Sequence, residues 1–251
     1  FVNSMSDLFH PDVPDAFVDE VFAVMSLTQR HVFQILTKRP DRMRAYMRRI
    51  DASPLLLDIA RRVISNTRGI LSFRYDFTWP LPNVWLGVSV EDQATADERI
   101  QLLLQTPAAV RWVSAEPLLG PVSLVVPFDG ARVDAAKGAR PGIPGLDWVV
   151  AGGESGPKAR PTHPDWFRSL RDQCAAAGVP YLHKQNGEWI SADQDECPVG
   201  GPASRWMWAD GQQWSKHDGQ RAIPLFCWAG KKAAGRLLDG VLHDGYPEGA
   251  D

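Results

Sequence analysis

At 251 residues with 44% hydrophobic and 23% charged content, the chain has the length and apolar fraction of one barrel-sized α/β domain with an ordinary core. A formal net charge of −3 excludes a protein that coats a polyanion by bulk charge, while leaving room for a local basic patch. Three widely spaced cysteines, Cys174, Cys197 and Cys227, suit a reducing, cytoplasmic compartment better than a disulfide framework. Neither a signal region nor an apolar run of about eighteen residues is present, so no membrane partner is expected.

Residues 1–4 read as the end of a strand, which leads us to expect a segment upstream of Phe1. A helix follows over 14–27, with Pro14 near its start and Phe17, Val18, Val21, Phe22 and Met25 forming an apolar stripe at three- and four-residue intervals. Strands are expected over 32–36, 84–89, 110–114, 148–151 and 179–183, and helices over 40–50, 92–104 and 163–177. Pro164 opens the last of these helices and Gly178 closes it. The alternation is that of successive β-α units. Two segments break it. Residues 129–145, rich in Gly, Ala, Arg and Pro, read as a surface insertion. Residues 187–228 are poor in aliphatic side chains yet hold Trp189, Trp206, Trp208, Trp214 and Trp228, half of the ten tryptophans. With Arg205, Lys216, His217 and Arg221, this stretch could stack nucleic-acid bases, or fold by apolar contact as a lid over a pocket.

Each strand runs into polar residues at its C-terminal end: Asn3, Ser4, Ser6 and Asp7; Thr37, Lys38 and Arg39; Ser89 and Glu91; Ser114 and Glu116; Glu154 and Ser155; Lys184 and Gln185. Parallel strands joined by helices put these ends on one side, where α/β sites form. Strand alternation places Trp85, Gly87, Ser89 and Glu91 on one face, and Trp112, Ser114 and Glu116 on the equivalent face of another strand. Glu91 and Glu116 beside Lys38, Arg39 or Lys184 could divide acid and base roles or bind a cation; the plainer alternative is helix-start or ion-pair residues. Gly152-Gly153-Glu154 could bring backbone amides and a carboxylate close to a ligand, or simply turn the chain. Thr37-Lys38-Arg39-Pro40 suits a phosphate or carboxylate at a helix start, or a solvated charge pair; Arg160 is a similar candidate. No metal is expected, because Cys197, Cys227, His217 and His243 lack paired ligand spacing. Neither a phosphate loop nor an H-E-x-x-H helix occurs, and Gly230-Lys231-Lys232 reads as the start of a C-terminal helix.

Several blocks in the same order carry a resemblance. They are residues 1–10, Leu36-Thr37-Lys38-Arg39-Pro40, residues 85–91, Ser114-Ala115-Glu116-Pro117-Leu118-Leu119, residues 147–156, Lys184-Gln185 and residues 230–240. Together they resemble the phage gene-product 37/68 family, a domain of unknown function whose members look like radical S-adenosylmethionine proteins. The resemblance implies a partial (β/α) TIM-like barrel of the radical S-adenosylmethionine type, with a long irregular insertion near the C-terminus. It also implies a three-cysteine motif holding a [4Fe-4S] cluster with one iron open for S-adenosylmethionine. This chain has no such motif, which by the family pattern is expected upstream of Phe1.

The expected division is a partial barrel over 1–186, a tryptophan-rich insertion or lid over 187–229, and a C-terminal helix and tail over 230–251. The expected function is radical S-adenosylmethionine chemistry on a small-molecule, nucleotide or nucleic-acid substrate. In that reading Lys38, Glu91, Glu116 and Lys184 are the catalytic candidates. Ser89, Ser114, Gly152, Gly153 and Glu154 face the cofactor, and Asn3, Ser6, Asp7, Thr37, Arg39, Arg160 and Gln185 face the substrate. The alternatives are a phage module that binds nucleic acid without catalysis, and a cofactor-free barrel lyase or hydrolase using Glu91 or Glu116 with Lys38.

Overall fold

The computed structural model describes residues 1–2, 6–51, 58–61, 78–138, 142–191, 206–208 and 225–247. Five parallel strands form its central sheet: β1 (Phe33–Thr37), β2 (Val84–Ser89), β3 (Val110–Ala115), β6 (Trp148–Gly152) and β7 (Tyr181–Gln185). They lie side by side in chain order. Val2 extends the series with a parallel bridge to Ile35, its N–H donating to the Gln34 carbonyl at 2.9 Å. Of the strand expected over 1–4, residues 3 and 4 lie outside the described residues.

The helices cover one face of this sheet. Helices α1 (Asp15–Leu27), α2 (Pro40–Asp51), α3 (Gln93–Leu104) and α4 (Pro164–Ala177) contribute Val18, Phe22, Met43, Met47, Ile100, Leu103, Phe167 and Leu170 to the main core. From the strands come Ile35, Val84, Leu86, Val88, Val113, Ala115, Val149 and Ala151. The alternate strand residues Trp85, Trp112, Trp148, Val150 and Leu182 form a separate cluster on the other face. Strand β2 is therefore buried at all six positions, which explains its near-continuous apolar run. Strands in chain order, joined by crossovers of one hand, put every helix on the same side and leave the opposite side to be lined otherwise.

Helix ends follow the local chemistry. Asp92 caps α3 by accepting from the Thr95 N–H, while the Thr95 hydroxyl accepts from the Asp92 N–H. Pro164 starts α4, and Gly178, at φ +70°, ends it in the left-handed conformation. Phe17, expected in the α1 stripe, is 49% exposed at the stripe's margin.

Where the sequence suggested a surface insertion over 129–145, the chain builds half of a hairpin, β4 (Val125–Phe128) against β5 (Ala131–Asp134). This hairpin comes between β3 and β6 in the chain; it buries Val126 and Phe128, and Ala135 and Ala136 just after it are buried too. The tryptophan-rich stretch contains a three-stranded antiparallel sheet in the order β8 (Trp189–Ser191), β10 (Leu225–Trp228), β9 (Trp206–Trp208). The expected C-terminal helix is a single turn, α5 (Lys231–Ala234), followed by the ribbon β11 (Leu237–Leu238) and β12 (Val241–Leu242). Positive φ at Gly235, Asp239 and Gly240 stops the helix and turns the chain.

Candidate functional site

On the helix-free face, register aligns Leu36, Gly87, Trp112 and Trp148 in one row across four strands. The next row toward the strand C-termini is Ser89, Ser114, Val150 and Leu182. Gly87 makes the first row possible, because a Cβ there would lie 2.3 Å from Cε2 of Trp112; the indole lies across the bare backbone. Trp148 packs against Trp112 at 5.4 Å between ring centroids and edge-on to Trp85 at 5.8 Å. The indole N–H of Trp112 has no hydrogen-bond partner among the described residues.

Above this aromatic floor opens a cavity of about 770 Å³, walled by Ser114, Glu116, Gly153, Glu154, Lys184 and Gln185 together with Lys231, Arg236 and Tyr246. The last three come from the segment after β10, which runs along the edge of β7. His243 O accepts from the His183 N–H at 3.0 Å, Gly245 N–H donates to Tyr181 O at 3.0 Å, and Trp148 Nε1 donates to Gly245 O at 2.7 Å. Tyr246 thereby stacks on Trp148 at 4.9 Å. The cavity thus combines planar apolar rings at its base with ionic groups at the strand C-termini.

Those ionic groups are paired. Glu116 accepts from Lys184 Nζ at 2.8 Å and Gln185 Nε2 at 2.5 Å. Glu154 holds Arg160 through both oxygens at 2.8 Å and accepts from the Arg160 backbone N–H at 2.7 Å. The Arg160 hydrogen bonds outweigh burial and hold the Glu154 carboxyl below its ordinary range. Both glycines serve close packing: a Cβ on Gly152 would meet Glu116 Oε1 at 3.0 Å, and one on Gly153 would meet Asn186 O at 2.1 Å.

A second polar set sits at the ends of β1 and β2, and its members do not line the cavity. Asp7 accepts from Thr37 Oγ1 at 2.7 Å, Lys38 N at 3.0 Å, Arg39 Nη1 at 2.8 Å and Phe9 N at 2.9 Å. Burial would raise its pKa, but these donors together bring it below the ordinary carboxylate value. Lys38 pairs with Glu91 at 2.5 Å, and Glu91 also accepts from Arg99 Nη1 at 3.0 Å and Ser89 Oγ at 3.2 Å. Against the upward push of burial, Lys38, Arg99 and Ser89 keep Glu91 ionised below its usual range. Ser6 is exposed, and Asn3 lies outside the described residues.

The strand-end rule therefore groups Ser114, Glu116, Gly153, Glu154, Lys184 and Gln185 at one cavity and Asp7, Thr37, Lys38, Arg39, Ser89 and Glu91 in a neighbouring network. Sequence reading missed Lys231, Arg236 and Tyr246, because only tertiary contact folds the C-terminal segment back along β7. It also missed the buried aromatic cluster beneath the cavity, although the alternation of Trp85 with Gly87 and of Trp112 with Ser114 carried that signal. In the tryptophan-rich stretch, Trp189 and Trp228 pack edge-on at 5.1 Å, and Trp189 Nε1 donates to Ala159 O at 2.7 Å. The side chains of Trp206, Trp208 and Trp214 lie outside the described residues, as do Cys197, Arg205, Lys216, His217 and Arg221.

The described residues do not fit an iron–sulfur cluster. None of them forms a group of three His, Cys, Asp or Glu able to hold a metal. Burial among helix-face side chains pushes the Cys174 thiol up to about 12, and Cys227 is disulfide-bonded, contrary to the expectation of free thiols. Among the described residues no helix is long and apolar enough to cross a membrane.

A family model described as a protein of unknown function, DUF5131, matches residues 1–247. No curated protein and no solved structure matches the chain. With a match across nearly its whole length, the chain belongs to the DUF5131 family.

Proposed function

We propose that the chain is the ligand-binding arc of a radical S-adenosylmethionine-type enzyme that acts on a nucleotide or nucleic-acid base. The observation that carries the binding half of this reading is the cavity itself, which has indole rings at its base and carboxylates at its rim. Stacking on an aromatic face is sequence-tolerant and suits any nucleobase, and Tyr246, 50% exposed over the buried indoles, offers that face. Glu116 and Glu154 can accept hydrogen bonds from ribose hydroxyls or an amino group, exchanging Lys184 or Arg160 as partner. Unbroken chain order with helices on one side supports an arc of a β/α barrel over a doubly wound sheet, which reverses strand order and covers both faces. The radical chemistry rests on the resemblance to the phage gene-product 37/68 family. The described residues offer no ligands for an iron–sulfur cluster, so the part this reading gives them is to bind, orient and shield the nucleoside.

Calorimetric titration of the chain with S-adenosylmethionine and with nucleosides tests the reading. Saturable binding accompanied by a change in tryptophan emission is expected, and Glu116→Gln should weaken it about tenfold while leaving the unfolding midpoint near that of the parent. A folded chain that binds none of these compounds overturns the proposal.

A further inference from the structure

The charges lining the cavity do not cancel in place. Lys184 is matched by Glu116 and Glu154 by Arg160, while Arg236 is held by Asp244. Lys231 has no ion-pair partner among the described residues. Its root is nevertheless fixed: its backbone N–H donates to Glu188 Oε2 at 2.8 Å, and that carboxylate also accepts from Gly156 N at 2.9 Å. The Gly230 N–H donates to the Glu188 carbonyl at 3.0 Å, pinning the turn from the other side. With its backbone pinned and its side chain exposed at the cavity wall without an ion-pair partner among the described residues, the Lys231 ammonium can reach an anionic occupant.

We propose that Lys231 anchors the phosphate of a nucleotide whose base packs against Tyr246, the exposed ring over the buried Trp112 and Trp148. The occupant is thus a phosphorylated nucleoside and not a bare one. This rests on the reading of the cavity as a nucleoside site and adds its anionic end. A phosphate fits better than a single-point anion because Arg236 and Lys184, on the same lining, can turn additional donors to its oxygens.

Nucleosides and their 5′-monophosphates, titrated in parallel into the parent, Lys231→Met and Lys231→Arg chains, decide it. The parent should bind monophosphates about tenfold more tightly than nucleosides, with the difference shrinking as salt rises. Lys231→Met should erase that difference and leave nucleoside affinity intact, and Lys231→Arg should restore it. Equal affinity of the parent for both compounds overturns the anchor and leaves the nucleoside site standing. Equal weakening of both by Lys231→Met also overturns it, because Lys231 would then act on the wall's structure. Failure of the parent to bind either compound overturns the site reading and the anchor with it.

Discussion

A single missing Cβ shapes the cavity floor. Gly87 is flanked in its row by Leu36 and Trp112, and the indole occupies the space a side chain would take. Gly87→Ala should therefore displace Trp112 and cost about 1–3 kcal/mol, as overpacking does. Urea unfolding measures that loss, and a shifted tryptophan emission maximum in the folded variant reports the displaced ring. An unchanged midpoint would mean that the ring has room to move. Alternation alone put Gly87 and Ser89 on one face and Trp112 with Ser114 on the next, so these neighbours were legible. The partners of the charged residues were not, because Glu116 meets Lys184 across 68 positions and Asp7 meets Arg39 across 32. Strand-end position says that a charge emerges on the right side of the sheet, and long-range packing decides which opposite charge it meets.

Elements with their own stop signals could be read directly. Helix α3 carries a reciprocal cap between Asp92 and Thr95, and α4 has Pro164 and Gly178 at its two ends. Asp92→Ala removes the acceptor for the Thr95 N–H and should cost about 1 kcal/mol, measurable as a lower urea midpoint with an unchanged slope. A stability equal to the parent's would show that solvent replaces the cap. Elements whose formation depends on a partner were legible only in part. The hairpin of β4 and β5 lacks strong apolar alternation, and it forms where Val126 and Phe128 find the core. The expected C-terminal helix stops after the single turn of α5, and the chain continues as a ribbon recruited to the β7 edge, where Asp244 bridges Leu182.

At the scale of the molecule, one source of acid sensitivity is a histidine on the helix side of β7, between the cavity-lining Leu182 and Lys184. His183 is fully buried on the helix side of β7, against Phe167, with Nε2 2.8 Å from Asn186 Oδ1. Burial lowers its pKa from 6.5 to about 4; Asn186 and Asp239 oppose that shift, while His243 and Arg236 add to it. Between those values the unfolded chain takes up a proton that the folded one refuses, so stability is whole above pH 6.5 and declines as pH falls toward 4. At pH 5 the loss should be about 2 kcal/mol. Urea midpoints at pH 7 and 5 measure it, and ring NMR should find the native imidazole still neutral at pH 5; a charged ring there would refute the account. Asp7, Glu91 and Glu154, held below their ordinary values, withdraw their contributions only at lower pH. Local periodicity, caps and strand-end polarity were enough to establish an α/β chain with parallel strands and a polar rim, since each depends on residues a few positions apart. Which rim residues share a cavity, which are locked in ion pairs, and that the C-terminal segment supplies Lys231, Arg236 and Tyr246 required the folded chain. Those contacts join positions remote in sequence, and the energy that selects among them comes from burial and charge pairing, which exist only once the sheet has assembled.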